Sequence, residues 1–367
     1  VKKFERVFPE QGRYEHIRPT LREKRRIRVM TMRAFVLTRY GGPDAMELRD
    51  VPKPSPGPGE VLIHVYAAGL NPIDFKMRQG MLRVIYRYPL PIIAGCELSG
   101  VVVAKGSGVT RLAEGDRVFT RVDKKRLGAF AEFAVVREEL VAKMPSSVDF
   151  ATAAAAPLAG LTALQALRDE LRVTSGQNIF ISGGSGGVGT FAIQLGKWLG
   201  AHIATTASAR GEELVRKLGA DIVVDYTREH FDQVLREYDG ALDLIGGDTL
   251  LKTFGVVKRD AKVVSVAGVP EPQTASKDLQ AGPTLATLFW AASWRIRRQA
   301  RKYGVAYRYL FMHPSGTDLS ELATLIDQQK LEIVIDRIVP FAQIADAFAY
   351  LEQGHAKGKV VVQMVEQ

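Results

Sequence analysis

Four glycines, Gly183, Gly184, Gly186 and Gly189, stand in the run IFISGGSGGVGTFAIQLGKWLG at 179–200. Residues of this type at this spacing suit one task, holding a dinucleotide pyrophosphate. Glycine permits the tight turn, lets the backbone amides of Ser185, Gly186, Gly187 and Val188 approach phosphate oxygens, and lets the following helix pack close to the preceding strand. The helix opening near Val188 adds unpaired amides and a partial positive charge for the anion. Glycine-rich turns also occur without ligands, so the apolar strand before the loop and the amphipathic helix after it carry the reading. The next strand, HIATT, runs into Ala207, Ser208, Ala209 and Arg210, and no acid follows until Glu212. An acid at the end of that strand would accept the ribose hydroxyls of NAD and repel a 2′-phosphate. Ser208 and Arg210 instead offer a hydrogen bond and a positive charge, so the pattern predicts NADPH as cofactor.

These loops need a scaffold. Past the glycine loop the chain alternates HIATT, GEELVRKLGA, DIVVDY, a polar helix, ALDLIGG and KVVSVAG, which predicts parallel βαβ units in a doubly wound sheet. From Met32 onward the segments MRAFVL, VLIHVYAAGL, ELSGVVVAKG, GDRVFTR and GAFAEFAVV are short and punctuated by glycine. They predict a compact, bent β-barrel-like domain, within which VPKPSPGPGE cannot be a central strand. Residues 151–171 read as an alanine-rich helix with Leu158, Leu161, Leu164 and Leu167 at helical spacing, the join between the two domains. The last segment, beginning ELATLIDQQK, reads helix, strand, helix, strand, which is more than one such sheet requires, and is expected to return to the first domain. The boundaries predicted are a leader at 1–31, a first domain at 32–156 with 316–367, and a cofactor domain at 157–315.

A chain of 367 residues has room for two domains. No apolar run reaches the roughly 18 residues a membrane span requires. The single cysteine, Cys96, excludes an internal disulfide and a cysteine-rich zinc lobe, which suits a reducing cytoplasm, and it reads as a small buried core residue. Of the net charge of +10, the leader holds +6, from ten basic and four acidic residues. It reads as a disordered tail or as sequence upstream of a start at Met30 or Met32. The remainder is only mildly basic, so no nucleic-acid partner is expected. A second basic cluster, Arg295, Arg297, Arg298, Arg301 and Lys302, shares a helical stretch with Phe289, Trp290 and Trp294. It reads either as a core-packed helix with a solvated face or as a surface for a membrane or partner.

Several motifs carry a wider resemblance: AAGLNPIDFK at 67–76, AGCELSGVV at 94–102, EGDRVF at 114–119, GAFAEFAVV at 128–136, PLAGLTAL at 157–164, GGSGGVG at 183–189, and the closing KGKVVV. With them, 32–367 resembles the medium-chain dehydrogenase/reductase superfamily, in its zinc-independent quinone oxidoreductase branch. The resemblance implies an α/β protein with a GroES-like β-barrel catalytic domain built from both ends of the chain. A Rossmann doubly wound parallel sheet is inserted between them, and the nicotinamide lies in the cleft. It also implies a homodimer formed through an edge strand at 307–312. By position, Thr162 lies near the nicotinamide and Tyr226 faces the 2′-phosphate or adenosine ribose. Val266, Ala267 and Gly268 meet the nicotinamide ribose and amide, and Lys359 reaches the cofactor phosphates. Where zinc-dependent relatives place ligands, this chain has Asn71, Cys96 and Pro157 or Leu158, so no metal is expected. Asp74 and Glu97 remain as acids that order the cleft, and Ile73 replaces the hydroxyl residue that relays a proton from an alcohol.

Without metal or relay, alcohol oxidation loses its Lewis acid and its base. The chemistry that remains is hydride transfer from NADPH to a small molecule that is already electrophilic, a quinone or an α,β-unsaturated carbonyl. Asn71 is expected to hydrogen-bond the substrate oxygen or the cofactor as charge develops. No general acid is evident, so water is the expected proton source. Tyr86, Tyr88, Phe130, Phe289 and Trp290 are candidates for the pocket wall. An enoyl-thioester reductase is the neighbouring reading, with the Arg295 cluster as a basic entrance. An NADPH-gated RNA-binding or scaffold protein is the non-enzymatic one.

Overall fold

The computed structural model describes residues 30–365, so the basic leader up to residue 29 lies outside the described residues. Six strands form a parallel sheet in the order Ile222–Asp225, His202–Ala207, Asn178–Ile181, Tyr238–Asp243, Val257–Ser265, Ala306–Tyr309. The chain winds outward from Asn178–Ile181 in both directions, so its order reverses between that strand and Tyr238–Asp243, where an open sheet of this kind leaves a crevice. Ile181 packs with Phe191 of helix Gly187–Trp198 on one face, and Phe180 packs with Ala300 of helix Trp294–Tyr303 on the other. Helices thus cover both faces, as an all-parallel sheet requires. Full burial of side chains such as Phe180 and Phe191 stabilises this layer by about 1.5–3 kcal/mol each.

The remaining strands build a second, mainly antiparallel sheet. Its order is Ile335–Pro340, Lys359–Gln363, Glu60–Leu70, Glu97–Lys105, Arg117–Arg121, Val141–Lys143, with Phe133–Arg137 also pairing with Glu60–Leu70. Register shifts between Leu62 and Ile63 and between Val65 and Ala67 bend the long Glu60–Leu70 strand. Close approach at that bend explains Gly100, where a Cβ would lie 2.0 Å from the His64 carbonyl oxygen. A three-stranded sheet, Met46–Pro52, Thr31–Leu37, Ile92–Ile93, closes one side. The Lys359–Gln363 strand pairs with Glu60–Leu70 through Val361 and Gly69.

Two elements differ from expectation. Residues 151–171 do not form one helix but Phe150–Ala154, Pro157–Leu164 and a π-helical turn Gln165–Leu171. Pro157 lacks an N–H and disfavours helix just before it, so the chain breaks at 155–156 and a new helix N-terminus opens beneath the cleft. The polar helix after DIVVDY shrinks to Phe231–Val234.

Candidate active site

A cleft of about 390 Å³ lies between the C-terminal ends of the parallel strands and the bent sheet. Gly183, Gly186, Gly187, Val188 and Gly189 line it, together with Thr162, Val266 and Ala267. Gly183 has φ +73°, which favours glycine, and a Cβ on Gly189 would lie 2.4 Å from the Gly183 carbonyl oxygen. The loop therefore turns sharply and the helix sits directly on it, leaving the amides at its N-terminus for an anion. No Cβ fills the space beside Gly186, whose nearest such contact is 3.5 Å. This cradle fits a dinucleotide pyrophosphate.

The residues expected at the 2′-phosphate collect at a neighbouring rim. Ser208 is the N-cap of helix Ala209–Lys217, Arg210 is exposed in its first turn, and Ser185 packs against Gly211. The Tyr226 amide donates to the Ala207 carbonyl at 3.3 Å, which sets the exposed Tyr226 beside the same strand end. Sequence reasoning missed Lys357, whose ammonium donates to the Arg210 carbonyl at 2.8 Å and adds a second cation here. Asp225 pairs in register with Ala207, but its carboxylate accepts from Thr227 and faces Arg228. The turn at 266–268 is shaped from below by Ser265, whose Oγ accepts from the amides of Ala267 and Gly268 and donates to the buried Asp243 at 2.7 Å. Gly268 itself packs against the Tyr307 hydroxyl and does not line the cleft.

Two expectations are corrected at the cleft floor. Lys359 does not aim at the phosphate loop. Its ammonium donates to Glu97 Oε1 at 2.6 Å, Asn71 Oδ1 at 2.5 Å and the Leu70 carbonyl at 3.1 Å, which uses all three donors. Glu97 is fully buried, and a buried carboxylate requires such a partner; only the aliphatic stem of Lys359 lies against Gly187. Asn71 lines the cleft, yet its amide donates to Glu97 Oε1 at 2.6 Å and weakly to the Gly69 carbonyl at 3.5 Å. Facing a cation with its oxygen and an anion with its nitrogen, Asn71 has no hydrogen aimed at a substrate. The second oxygen of Glu97 accepts from the Leu158 amide at 2.6 Å, at the helix N-terminus opened by Pro157.

Asp74 sits behind this cluster rather than in the cleft. It accepts from the Asn71 backbone amide at 2.8 Å while its other oxygen has no partner among the described residues. Burial, outweighing the neighbouring Cys96 and the Asn71 backbone hydrogen bond, pushes its carboxyl up to about 6. Cys96 is fully buried, and burial followed by the nearby Asp74 holds its thiol well above the usual range. Among the described residues no group of three or more His, Cys, Asp or Glu is placed to hold a metal. With Asn71 and Pro157 or Leu158 beside Cys96 at the expected ligand positions, this donor set does not fit a catalytic zinc.

The wall differs from the aromatic residues proposed from sequence. Ile73, Leu158, Leu310, Phe311 and Met312 line it. Phe130 is buried in the core of the bent sheet, Phe289 is buried against other residues, and Trp290 is exposed. Tyr86 and Tyr88 pack just behind, with Tyr86 tilted against Phe311 at 6.1 Å. Arg121 and Lys124, which sequence reasoning did not single out, also line the cleft.

Residues 57–146 match the family described as alcohol dehydrogenase GroES-like domain, and 218–362 match the family described as zinc-binding dehydrogenase. A chloroplastic NADPH-dependent alkenal/one oxidoreductase of Arabidopsis thaliana is 37% identical over 343 residues, covering 90% of this chain and 79% of that protein. The quinone oxidoreductase of Coxiella burnetii superposes with a TM-score of 0.79 at 30% identity, covering 92% of this chain and all of the other. A mycobacterial protein solved in complex with NADPH gives a TM-score of 0.75 at 28% identity, over 91% of this chain and all of that one.

Proposed function

The chain belongs to the medium-chain dehydrogenase/reductase superfamily, in its quinone oxidoreductase branch, and on that premise we propose the following roles for its residues. It is an NADPH-dependent oxidoreductase that reduces quinones or α,β-unsaturated carbonyls. The observation that carries this reading is a cleft in which a phosphate cradle meets an apolar wall, with no set of metal ligands among the described residues. NADPH, when bound, supplies the hydride. The amides of residues 185–189 hold the pyrophosphate, and Ser208, Arg210 and Lys357, with Tyr226 beside them, take the 2′-phosphate end. Thr162, Val266 and Ala267 frame the nicotinamide end, supported by their place in the lining. Ile73, Leu158 and Phe311 exclude water and orient the substrate, and orientation in a dry cleft is the main catalytic contribution available to such a site.

We assign Asn71, Glu97 and Lys359 to positioning. They tie the Glu60–Leu70 strand, the Lys359–Gln363 strand and the helix Pro157–Leu164 into one rigid floor, and Asp74 fixes Asn71 from behind. The same proposal takes 157–315 as the cofactor domain and 32–156 with 316–367 as the catalytic domain. It includes a cytoplasmic location and a homodimer through the Ala306–Tyr309 strand, which pairs on one side only. No helix among the described residues is long and apolar enough to cross a membrane.

NADPH consumption measured against quinones, enones, enoyl thioesters and alcohols, with and without chelator, tests the activity. Turnover of quinones or enones that is indifferent to chelator is expected. Chelator-sensitive alcohol oxidation with no quinone or enone turnover would overturn it.

A further inference from the structure

Among the described residues four cations line the cleft, Lys76, Arg121, Lys124 and Lys359, and no aspartate or glutamate does. Lys359 is neutralised by Glu97. Arg121 and Lys124 are not. Arg121 is almost fully buried, yet its guanidinium reaches only backbone carbonyls, Val122 at 2.5 Å and Cys96 at 3.4 Å, and its Nε has no partner. Lys124 donates to the Phe311 carbonyl at 3.3 Å, and its ammonium lies 4.0 Å from the centre of the Phe311 ring.

Among the described residues, three of the four acids near enough to act on this pair are committed to other cations. Asp123 faces Arg137, Asp278 binds Arg308, and Glu97 binds Lys359. Asp74 is the remaining one: Arg121 is close enough to lower its carboxyl somewhat, but burial dominates and holds it up to about 6, and Arg121 makes no side-chain hydrogen bond to it. An arginine cannot shed its proton, so a buried guanidinium without a counter-ion is costly in the free protein. Burial above all, and after it Arg121, pushes Lys124 down to about 7, so that an anion bound beside it would favour its charged form. Neither residue makes a hydrogen bond or ion pair to the glycine loop, so the pair is not part of the phosphate cradle.

Resting on the reductase reading above, we propose that Arg121 and Lys124 form a subsite for a carboxylate carried by the substrate, so that the preferred substrates are acidic conjugated carbonyl compounds. The planar fork of arginine matches a carboxylate. Lys124, delivered by the loop just after the Arg117–Arg121 strand and braced by the Tyr88 hydroxyl on its carbonyl at 2.9 Å, supplies the second charge. The apolar wall formed by Ile73, Leu158 and Phe311 takes the conjugated carbon chain.

The test compares trans-4-oxo-2-pentenoate with its methyl ester in NADPH-consumption assays of the full chain. The acid should exceed the ester in kcat/KM by about tenfold or more, the scale expected when a site is built around a charged group. Arg121→Met and Lys124→Met should each bring the acid-to-ester ratio toward one, and Arg121→Lys should retain part of it. Because the ratio is taken within each variant, a reduced folded fraction cancels. A measurement on the unaltered protein needs no variant: 4-oxopentanoate should inhibit turnover more strongly than its methyl ester. Ester turnover with no preference for the acid overturns the subsite and leaves the reductase standing. No NADPH consumption with either compound or with a quinone overturns both.

Discussion

Lys359 and Glu97 lie 262 residues apart in sequence and 2.6 Å apart in space. Removing one member of a buried pair strands the other, so Lys359→Met should cost about 3–5 kcal/mol in urea denaturation. Pairing it with Glu97→Leu should recover part of that loss. Asp74 gives a prediction with a sign. Its carboxyl stands at about 6 in the folded protein against an ordinary 3.8, chiefly through burial. The folded state therefore holds the proton more tightly than the unfolded one, and this group's contribution to stability falls as pH rises from about 4 to about 6, by up to about 3 kcal/mol. The stability difference between Asp74→Asn and the unaltered protein should move in favour of the variant over that window, and an unchanged difference would refute it. The glycines of the loop were legible because backbone geometry restricts which residue can stand there. The aim of Lys359 and the free charge of Arg121 were not, because both depend on which distant side chains fold against them.

Elements carry a different kind of specificity. The glycine loop looks uniform in sequence, yet its members do unlike work. An added methyl at Gly189 would meet the carbonyl oxygens of Gly183 and Gly184 at 2.4 and 2.6 Å, whereas one at Gly186 would meet nothing closer than 3.5 Å. Gly189→Ala must push the helix Gly187–Trp198 off its loop and should lower stability by about 1–3 kcal/mol, with a loss of NADPH affinity seen by fluorescence titration. Gly186→Ala should leave the thermal midpoint nearly unchanged. The alternation of strands and helices was readable because apolar period and glycine punctuation follow local geometry. The break at Pro157 was readable in principle, since proline opens helices. Alanine-rich sequence on both sides masked it, and with it the helix N-terminus that Glu97 caps. The Asp243 and Ser265 bridge under the turn at 266–268 had no local signal at all, because its members meet only when the sheet assembles.

At the scale of the whole molecule, the two sheets meet where the closing strand touches the glycine loop. Gly186 and Gly358 form a parallel bridge, and the Gly358 amide donates to the Ser185 carbonyl at 2.9 Å. Lys217 with Glu332 and Gln194 with the Glu332 backbone add further ties. The phosphate cradle and the floor of Asn71, Glu97 and Lys359 are thus joined through consecutive residues, 358 and 359. Gly358 has φ +86° and a Cβ there would lie 2.4 Å from the Val334 carbonyl oxygen, whereas Gly354 has φ +73° with nothing within 4 Å. Both substitutions to alanine carry a left-handed backbone penalty of about 1–2 kcal/mol, but only Gly358→Ala also forces the closing strand away from its neighbours. If the strand sets the spacing between cradle and floor, Gly358→Ala should lower stability and NADPH affinity together, whereas Gly354→Ala should lower stability alone. Denaturation and cofactor titration of the two variants side by side decide it, and equal affinities in both would mean that the cleft keeps its width without this strand.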